Sequence, residues 1–498
     1  MIVIKMYGED YEQDIRPLVK SFFPKEEIEI EKSEIRNVQE EEAMVEQPTL
    51  LFFLDKEAFK VQYQDETQAS YTEGEQFSET IENLTRSIYR NALYRATYRL
   101  LSKATKRTLP WGTLTGIRPT KQVLERLEVG EEEASIKAFM ENEYYCSQEK
   151  IDLSLKVAKR EHEILSQLDY KNGYSIYVGI PFCPSTCNYC SFTSYPVHRF
   201  AHLVDPYLEA LTKEIEYAST ALNKKLSTIY VGGGTPTTLS AKQLEYLLSV
   251  LYRNFDISTV QEITVEAGRP DSITRDKLQV LKDMGVTRIS INPQSMRQKT
   301  LDLIGRHHTT EEIEEAFALA RQIGHDNINM DIILGLSGEN PDDVVYTLEK
   351  IKQLNPDSLT VHTLAIKRAA RLNTNASDYA KYEATDVEKM LQYSVAFAQE
   401  QSYEPYYLYR QKNMAENLEN VGYARVGKEG IYNVLIMEEK QTILALGAGG
   451  SSKFVFHEQN RIERVENVKS VTDYIERVDE MLQRKKDFLS NLREGDKL

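Results

Sequence analysis

Between residues 174 and 365 the chain alternates strictly between short β-branched runs and amphipathic helical stretches. The runs are YSIYVGI (174–180), LSTIYVGGG (226–234), EITVEA (262–267), TRISINPQ (287–294), NINMDIILGL (327–336) and DSLTVHTLA (357–365). Between them lie segments such as VDPYLEALTKEIEYASTAL and TTEEIEEAFALARQIG, whose apolar residues recur at helical spacing. Strands separated by helices pair in parallel, through right-handed crossovers. Six such units fall short of an eightfold barrel. The expected class is α/β: a partial (β/α)6 TIM-like barrel, with an open doubly wound sheet as the other arrangement. In either, reactive groups belong at the carboxyl ends of the strands.

The flanks read differently. Residues 1–165 form an expected N-terminal accessory α/β and helical region, 166–380 the core, and 381–498 a separate C-terminal α+β domain. MIVIKMY and TLLFFLD (49–55) read as strands. EGEQFSETIENLTRSIYRNALYRATYRLLSKAT reads as one long helix, on the spacing of Phe77, Ile81, Leu84, Ile88, Leu93 and Leu100. Gly112, Gly116 and Pro119 punctuate LPWGTLTGIRPTK, which holds the chain's only Trp. Near the C-terminus, IYNVLIMEE and TILALGAGG look like strands.

Sixty-one Lys+Arg stand against 77 Asp+Glu, a net charge of −16. Such a chain has no general attraction for nucleic acid, so no nucleic-acid partner is expected. It contains no apolar run of ~18 residues to span a membrane. Its first residues lack a signal peptide's pattern, and a cytoplasmic location is expected. Four cysteines in 498 residues cannot make a disulfide scaffold.

Three of the four cluster. Cys183, Cys187 and Cys190 stand in Pro-Phe-Cys-Pro-Ser-Thr-Cys-Asn-Tyr-Cys, directly after the first strand of the series. Thiols at C-x3-C-x2-C spacing can converge on three corners of a cuboidal iron–sulfur cluster and leave the fourth iron open to a chelating ligand. A zinc site of three thiolates completed by His198 or His202 is the alternative that spacing alone allows. Gly232–Gly233–Gly234–Thr235 ends the second strand, and three glycines let a ligand approach the backbone closely. Glu266 and Gln294 end the third and fourth strands, Arg306 follows in IGRHH, and Asp331 sits inside the fifth, where a charge needs a partner.

The cysteine motif on the first strand of a six-unit βα series resembles the radical S-adenosylmethionine (radical SAM) enzymes. GGGTPT, ITVEA, RISINPQS, GRHH and MDIILGL resemble more narrowly the oxygen-independent coproporphyrinogen III oxidase (dehydrogenase) group. The segment WGTLTGIRPTK resembles its HemZ-like branch. Where the well-known enzymes of that group carry a fourth cysteine, this chain has Phe192. The His-Asn-x-x-Tyr-Trp segment of the related heme-chaperone branch has no counterpart around Ile431-Tyr432-Asn433.

The resemblance implies a [4Fe–4S] cluster on Cys183, Cys187 and Cys190, with S-adenosylmethionine on the open iron. It implies cofactor contacts at Tyr177, Tyr189, Gly233, Gly234, Thr235, Glu266, Gln294, Arg306, Asp331 and Val361, the last with Gly234 and Thr235 near a possible second S-adenosylmethionine. It assigns no catalytic side chain beyond the cluster and S-adenosylmethionine. The implied reaction is hydrogen abstraction by a 5′-deoxyadenosyl radical from two propionates of coproporphyrinogen III, each losing CO2 and an electron to leave a vinyl group. Electrons are expected from a low-potential donor such as flavodoxin or ferredoxin. A tetracarboxylate substrate needs local cations in so acidic a chain. Arg368, Arg371, Arg410 and Arg425 are the expected ones, with Lys367 and Lys412 beside them. His307 and His308 read equally well as a proton shuttle or a turn cap. A heme-binding delivery protein on the same scaffold and another radical reaction on a tetrapyrrole are the alternative functions.

Overall fold

The structure, a computed structural model, describes residues 1–33, 47–56, 58–67, 69–76, 85–190, 194–364, 385–410 and 418–492. It divides into two compact units, residues 1–159 with 410–417, and residues 160–409 with 418–498.

The first unit has a five-stranded sheet of β1 (Ile2–Gly8), β2 (Ile28–Ser33), β3 (Thr49–Leu54), β4 (Ala58–Gln64) and β5 (Ser70–Gln76). Their order is β2-β1-β3-β4-β5. Alternation puts Ile4, Phe52 and Val61 on one face, fully buried with Leu93 and Leu100 of the helix Arg86–Thr105. The helix expected from Glu73 therefore starts later. Residues 70–76 are a strand instead, because Tyr71 pairs with Tyr63 across from β4. Phe77, Ile81 and Leu84 lie outside the described residues.

In the second unit, β6 (Gly173–Ile180) leads into two short pieces, β7 (Phe182–Cys183) and β8 (Tyr195–Pro196), that bracket the cysteine loop. Then come β9 (Lys225–Gly233), β10 (Glu262–Glu266), β11 (Arg288–Ser290), β12 (Ile328–Leu334) and β13 (Ser358–Thr363). β6, β9, β10, β11, β12 and β13 lie side by side in sequence order, all parallel. A doubly wound sheet would reverse its order partway, so the partial barrel is the arrangement found. Three helices after the strands open with capping boxes, Ser240/Gln243, Thr309/Glu312 and Asn340/Asp343. A good cap is worth about 1 kcal/mol and fixes where each strand-end loop stops.

The expected separate C-terminal domain is not separate. β14 (Glu404–Tyr409) and β15 (Asn420–Ala424) extend the sheet antiparallel beyond β13. On the other edge, β16 (Thr442–Leu446) pairs parallel with β6, followed by antiparallel β17 (Ser451–Phe456) and β18 (Arg461–Glu466). The run Ile431–Met437, expected as a strand, is a helix. The Glu262 carboxylate at the amino end of β10 accepts from the N–H groups of Ile431 and Tyr432, capping that helix from another element. Tyr432 on it stacks 4.5 Å from Tyr230 and 6.5 Å from Tyr177, both on the barrel's inner face. The helix thus closes the amino end of the barrel and leaves the carboxyl end for the site.

Candidate active site

The cysteine loop leaves β6 at its carboxyl end and is held at both margins. Tyr195 N–H donates to Pro181 O over 2.8 Å, closing the β7–β8 bracket. Asn188 docks on the loop before Arg306, its N–H 2.9 Å from Ile304 O and its Nδ2 3.0 Å from Leu303 O. With the thiols unligated, burial pushes Cys183 up to about 12; the neighbouring Cys187 and Cys190 add to the rise, and Thr235 opposes it.

The glycine hairpin at the end of β9 lies directly against this loop. Gly234 N–H donates to Ile180 O over 2.8 Å and Thr235 N–H to Phe182 O over 2.7 Å. The Thr235 hydroxyl points to Cys183 Sγ at 3.6 Å. A Cβ on Gly234 would sit 2.7 Å from Phe182 O and 2.9 Å from Cys183 Sγ, and one on Gly232 3.1 Å from Glu266 Oε1. Gly233 has φ +111° and its N–H bonds Glu266. The hairpin is a cradle that only glycine permits, with the cysteines at one end and a carboxylate at the other.

Glu266 ends β10 on the inner face, where the Tyr230 hydroxyl donates to its Oε1 over 2.5 Å. Burial pushes this carboxyl up to about 7, against the Tyr230 hydrogen bond, and the charge of Asp331 adds to the rise. Asp331 faces the same interior from β12. Burial works against its charge, yet His362, Asn329 and Thr360 hold it below the ordinary range. Its Oδ2 lies 3.7 Å from His362 Nε2, and His362 Nδ1 lies 3.2 Å from the Tyr409 hydroxyl. Val361 is fully buried and alternates with His362, so it presents its side chain to the other face. His362 is the residue of that pair aimed at Asp331.

After β11 the backbone turns sharply. Gln294, a non-glycine residue, has φ +65°, a conformation costing roughly 1–3 kcal/mol that persists where surroundings enforce it. Along this stretch the buried Ser290 Oγ, Asn292 Oδ1, Gln294 Oε1 and Arg306 Nε have no hydrogen-bond partner among the described residues. Each orphan costs about 1–3 kcal/mol unless a ligand satisfies it. Arg306 Nη1 bonds Asn292 O and Gly268 O, and its guanidinium meets the phenol of Tyr189. His308 is buried beside Asp271 with both ring nitrogens unpartnered. Burial, aided by Arg306, pushes it down to about 3 and keeps it neutral, which favours neither the shuttle nor the cap.

Of the expected substrate cations, Arg410 and Arg425 lie among the described residues. Arg368 and Arg371, with Lys367 and Lys412, lie outside the described residues, as does Phe192. Arg410 belongs to the first unit, where it is buried, bonds Leu114 O and lies over the Trp111 ring. Arg425 bonds Asn355 and follows Ala424, which pairs with Ser358 at the amino end of β13. That end is opposite the cysteine loop, so Arg425 faces away from the site. Sequence reading also passed over Tyr230 and Arg269. Tyr230 shares its face with Gly232 by strand alternation, a signal available in YVGGG; Arg269 announces itself only through its contacts.

The site so built offers three thiols on one loop, a glycine cradle ending in a carboxylate, and a rim of unsatisfied polar atoms. The model of the Radical SAM superfamily matches residues 177–351. The oxygen-independent coproporphyrinogen-III oxidase-like protein HemZ of Bacillus subtilis (strain 168) is 43% identical over 398 residues, 79% of this chain and 79% of that protein. The heme chaperone HemW of the same organism is 35% identical over 195 residues, 39% of this chain and 51% of that protein. The oxygen-independent coproporphyrinogen III oxidase of Escherichia coli (strain K12) is 33% identical over 235 residues, 46% of this chain and 50% of that protein. The chain thus spans about half the length of each of these last two relatives. Among the described residues, no helix is long and apolar enough to cross a membrane.

Proposed function

Because this chain belongs to the radical SAM family of the oxygen-independent coproporphyrinogen-III oxidase-like protein HemZ, we propose that it decarboxylates two propionates of coproporphyrinogen III oxidatively to vinyl groups. Family membership implies a [4Fe–4S] cluster and S-adenosylmethionine. The residues fit both. Three thiols share one loop, and the cradle beside them admits nothing larger than glycine. When bound, the two groups supply a strong hydrogen-atom abstractor.

The observation that carries this reading is the cradle itself, running from Cys183 Sγ to the Glu266 carboxylate along Gly232–Gly234. The N–H groups of Gly233 and Gly234 are spent on Glu266 and Ile180. The cradle therefore presents acceptors, which suit the amino group of an amino-acid ligand. Ionised Glu266 holds that cation, while Tyr230 orients the carboxyl. Gln294 and Arg306 offer polar atoms still lacking partners to the ligand's remaining polar groups. The stacked Tyr177, Tyr230 and Tyr432 wall off the barrel's amino end from water. A second S-adenosylmethionine, beside Gly234, Thr235 and the Val361–His362 end of β13, belongs to this reading, as does an external low-potential flavodoxin or ferredoxin.

Anaerobic turnover of the reconstituted chain with reductant, S-adenosylmethionine and coproporphyrinogen III, read by mass spectrometry, tests it. Loss of two CO2 per porphyrin with formation of 5′-deoxyadenosine is expected. Formation of 5′-deoxyadenosine with unchanged porphyrin overturns it. A second reading, heme binding and delivery, is favoured by the HemW likeness alone. Tight heme binding by the chain in that case would be its signature.

A further inference from the structure

Arg269 follows β10 by three residues and is almost wholly buried, 3% exposed. Its guanidinium is committed on both sides. Toward the turn, Nε and Nη2 donate to the two carboxylate oxygens of Asp271 over 2.9 and 2.7 Å, a bidentate clamp. Toward the cysteine loop, Nη1 donates to Cys187 Sγ over 3.3 Å and Nη2 to Ser185 Oγ over 3.1 Å. Cys183, by contrast, meets the neutral Thr235 hydroxyl. Arg306 adds a second positive charge felt by Cys187. Arg306 and His308 also act on Asp271, and His308 stays neutral.

A buried cation is tolerated only where its hydrogen bonds are made. Asp271 meets that need for Arg269 and also fixes the plane of the fork. What remains is a rigid N–H aimed at one sulfur. Hydrogen bonds and positive charge at a cluster sulfur stabilise the more electron-rich, reduced form and raise its potential.

We propose that Arg269, clamped by Asp271, is a positioning residue for the iron–sulfur centre: its hydrogen bond to Cys187 Sγ raises the centre's reduction potential and holds the cysteine loop. The inference rests on the reading of Cys183, Cys187 and Cys190 as cluster ligands. Within the chemistry proposed above, it assigns this residue the task of making the one-electron reduction accessible to an external donor.

The test is a potentiometric titration of the anaerobically reconstituted full chain, followed by electron paramagnetic resonance, with iron and sulfide counted per chain. R269M is expected to shift the midpoint to more negative potential, and R269K, which keeps charge but loses the fork, to an intermediate one. D271N removes the compensating negative charge and is expected to shift the midpoint the opposite way, to more positive potential. A purely structural clamp would move both variants together or neither. R269M and D271N at the wild-type midpoint, or displaced in the same direction, overturn the proposal. Should R269M take up no cluster, R269K and D271N decide by the same opposition of sign. A wild-type chain that takes up no iron and sulfide overturns the cluster reading itself, and the inference falls with it.

Discussion

Tyr230 donates its phenolic proton to Glu266 Oε1 over 2.5 Å inside the barrel, two residues before the glycine cradle begins. The bond stabilises the carboxylate, yet burial wins and Glu266 titrates at about 7, above its ordinary 4.5. The sign follows. A raised carboxyl pKa favours the fold fully below about 4.5, and that contribution is lost as pH climbs from there to about 7. Ligand binding runs the other way, because only the ionised group holds an amino cation. S-adenosylmethionine affinity is expected to rise by up to about tenfold per pH unit below 7 and to level off above it. E266Q is expected to bind weakly with no such slope. Equilibrium dialysis from pH 5.5 to 8.5 measures both; an equal slope in E266Q would refute the assignment.

Gly234 has no room for a side chain, since a Cβ would lie 2.7 Å from Phe182 O and 2.9 Å from Cys183 Sγ. Both obstacles belong to the cysteine loop. G234A is expected to cost roughly 1–3 kcal/mol and to cut iron uptake by more than half. Gly116 has nothing within 4 Å of its Cβ position, so G116A is expected to load as wild type. Iron and sulfide assays after reconstitution distinguish them.

The six parallel strands are legible because each is a short β-branched run set off from the next by an amphipathic helix, some with capping boxes, as at Ser240 and Thr309. Long-range pairing was not. Nothing local in TILAL says that Thr442 pairs with Tyr174, or that the strands of the C-terminal region divide between the two edges of one sheet. IYNVLIM reads as a strand because a short apolar run has no period to decide it, and its helix is capped by the distant Glu262. In the site, the cysteines, Glu266 and Arg306 stood out through family blocks. Arg269 did not, since a lone arginine in a turn acquires meaning only from the Cys187 sulfur it meets.

Cys146 offers an internal control for the cluster ligands. It is buried in the first unit, its Sγ 3.5 Å from Trp111 O, and burial pushes its thiol up to about 12. C183A, C187A and C190A are each expected to abolish a stable [4Fe–4S] centre, lowering bound iron at least several-fold. C146A is expected to keep the full complement. Full loading in any of the first three removes that residue from the ligand set.

Lys485 and Glu214 form a buried ion pair, 2.7 Å apart, with side chains 2% and 0% exposed. The pair is completed by neutral donors: Glu214 also accepts from Gly447 N–H, Asn467 Nδ2 and the Tyr474 hydroxyl. Tyr207, packed against Tyr474, donates to Gly179 O two residues before Pro181, so the cluster of polar groups braces the end of β6 from which the cysteine loop departs. Removing one partner strands a charge, which costs about 3–5 kcal/mol; removing both costs far less. K485M is therefore expected to lose about that much in denaturant unfolding, and E214Q/K485M to recover most of it. The expected functional echo is weaker iron retention in K485M, restored in the double variant. A double variant no more stable than K485M would mean that packing of the Lys485 stem, rather than its charge, holds this corner together.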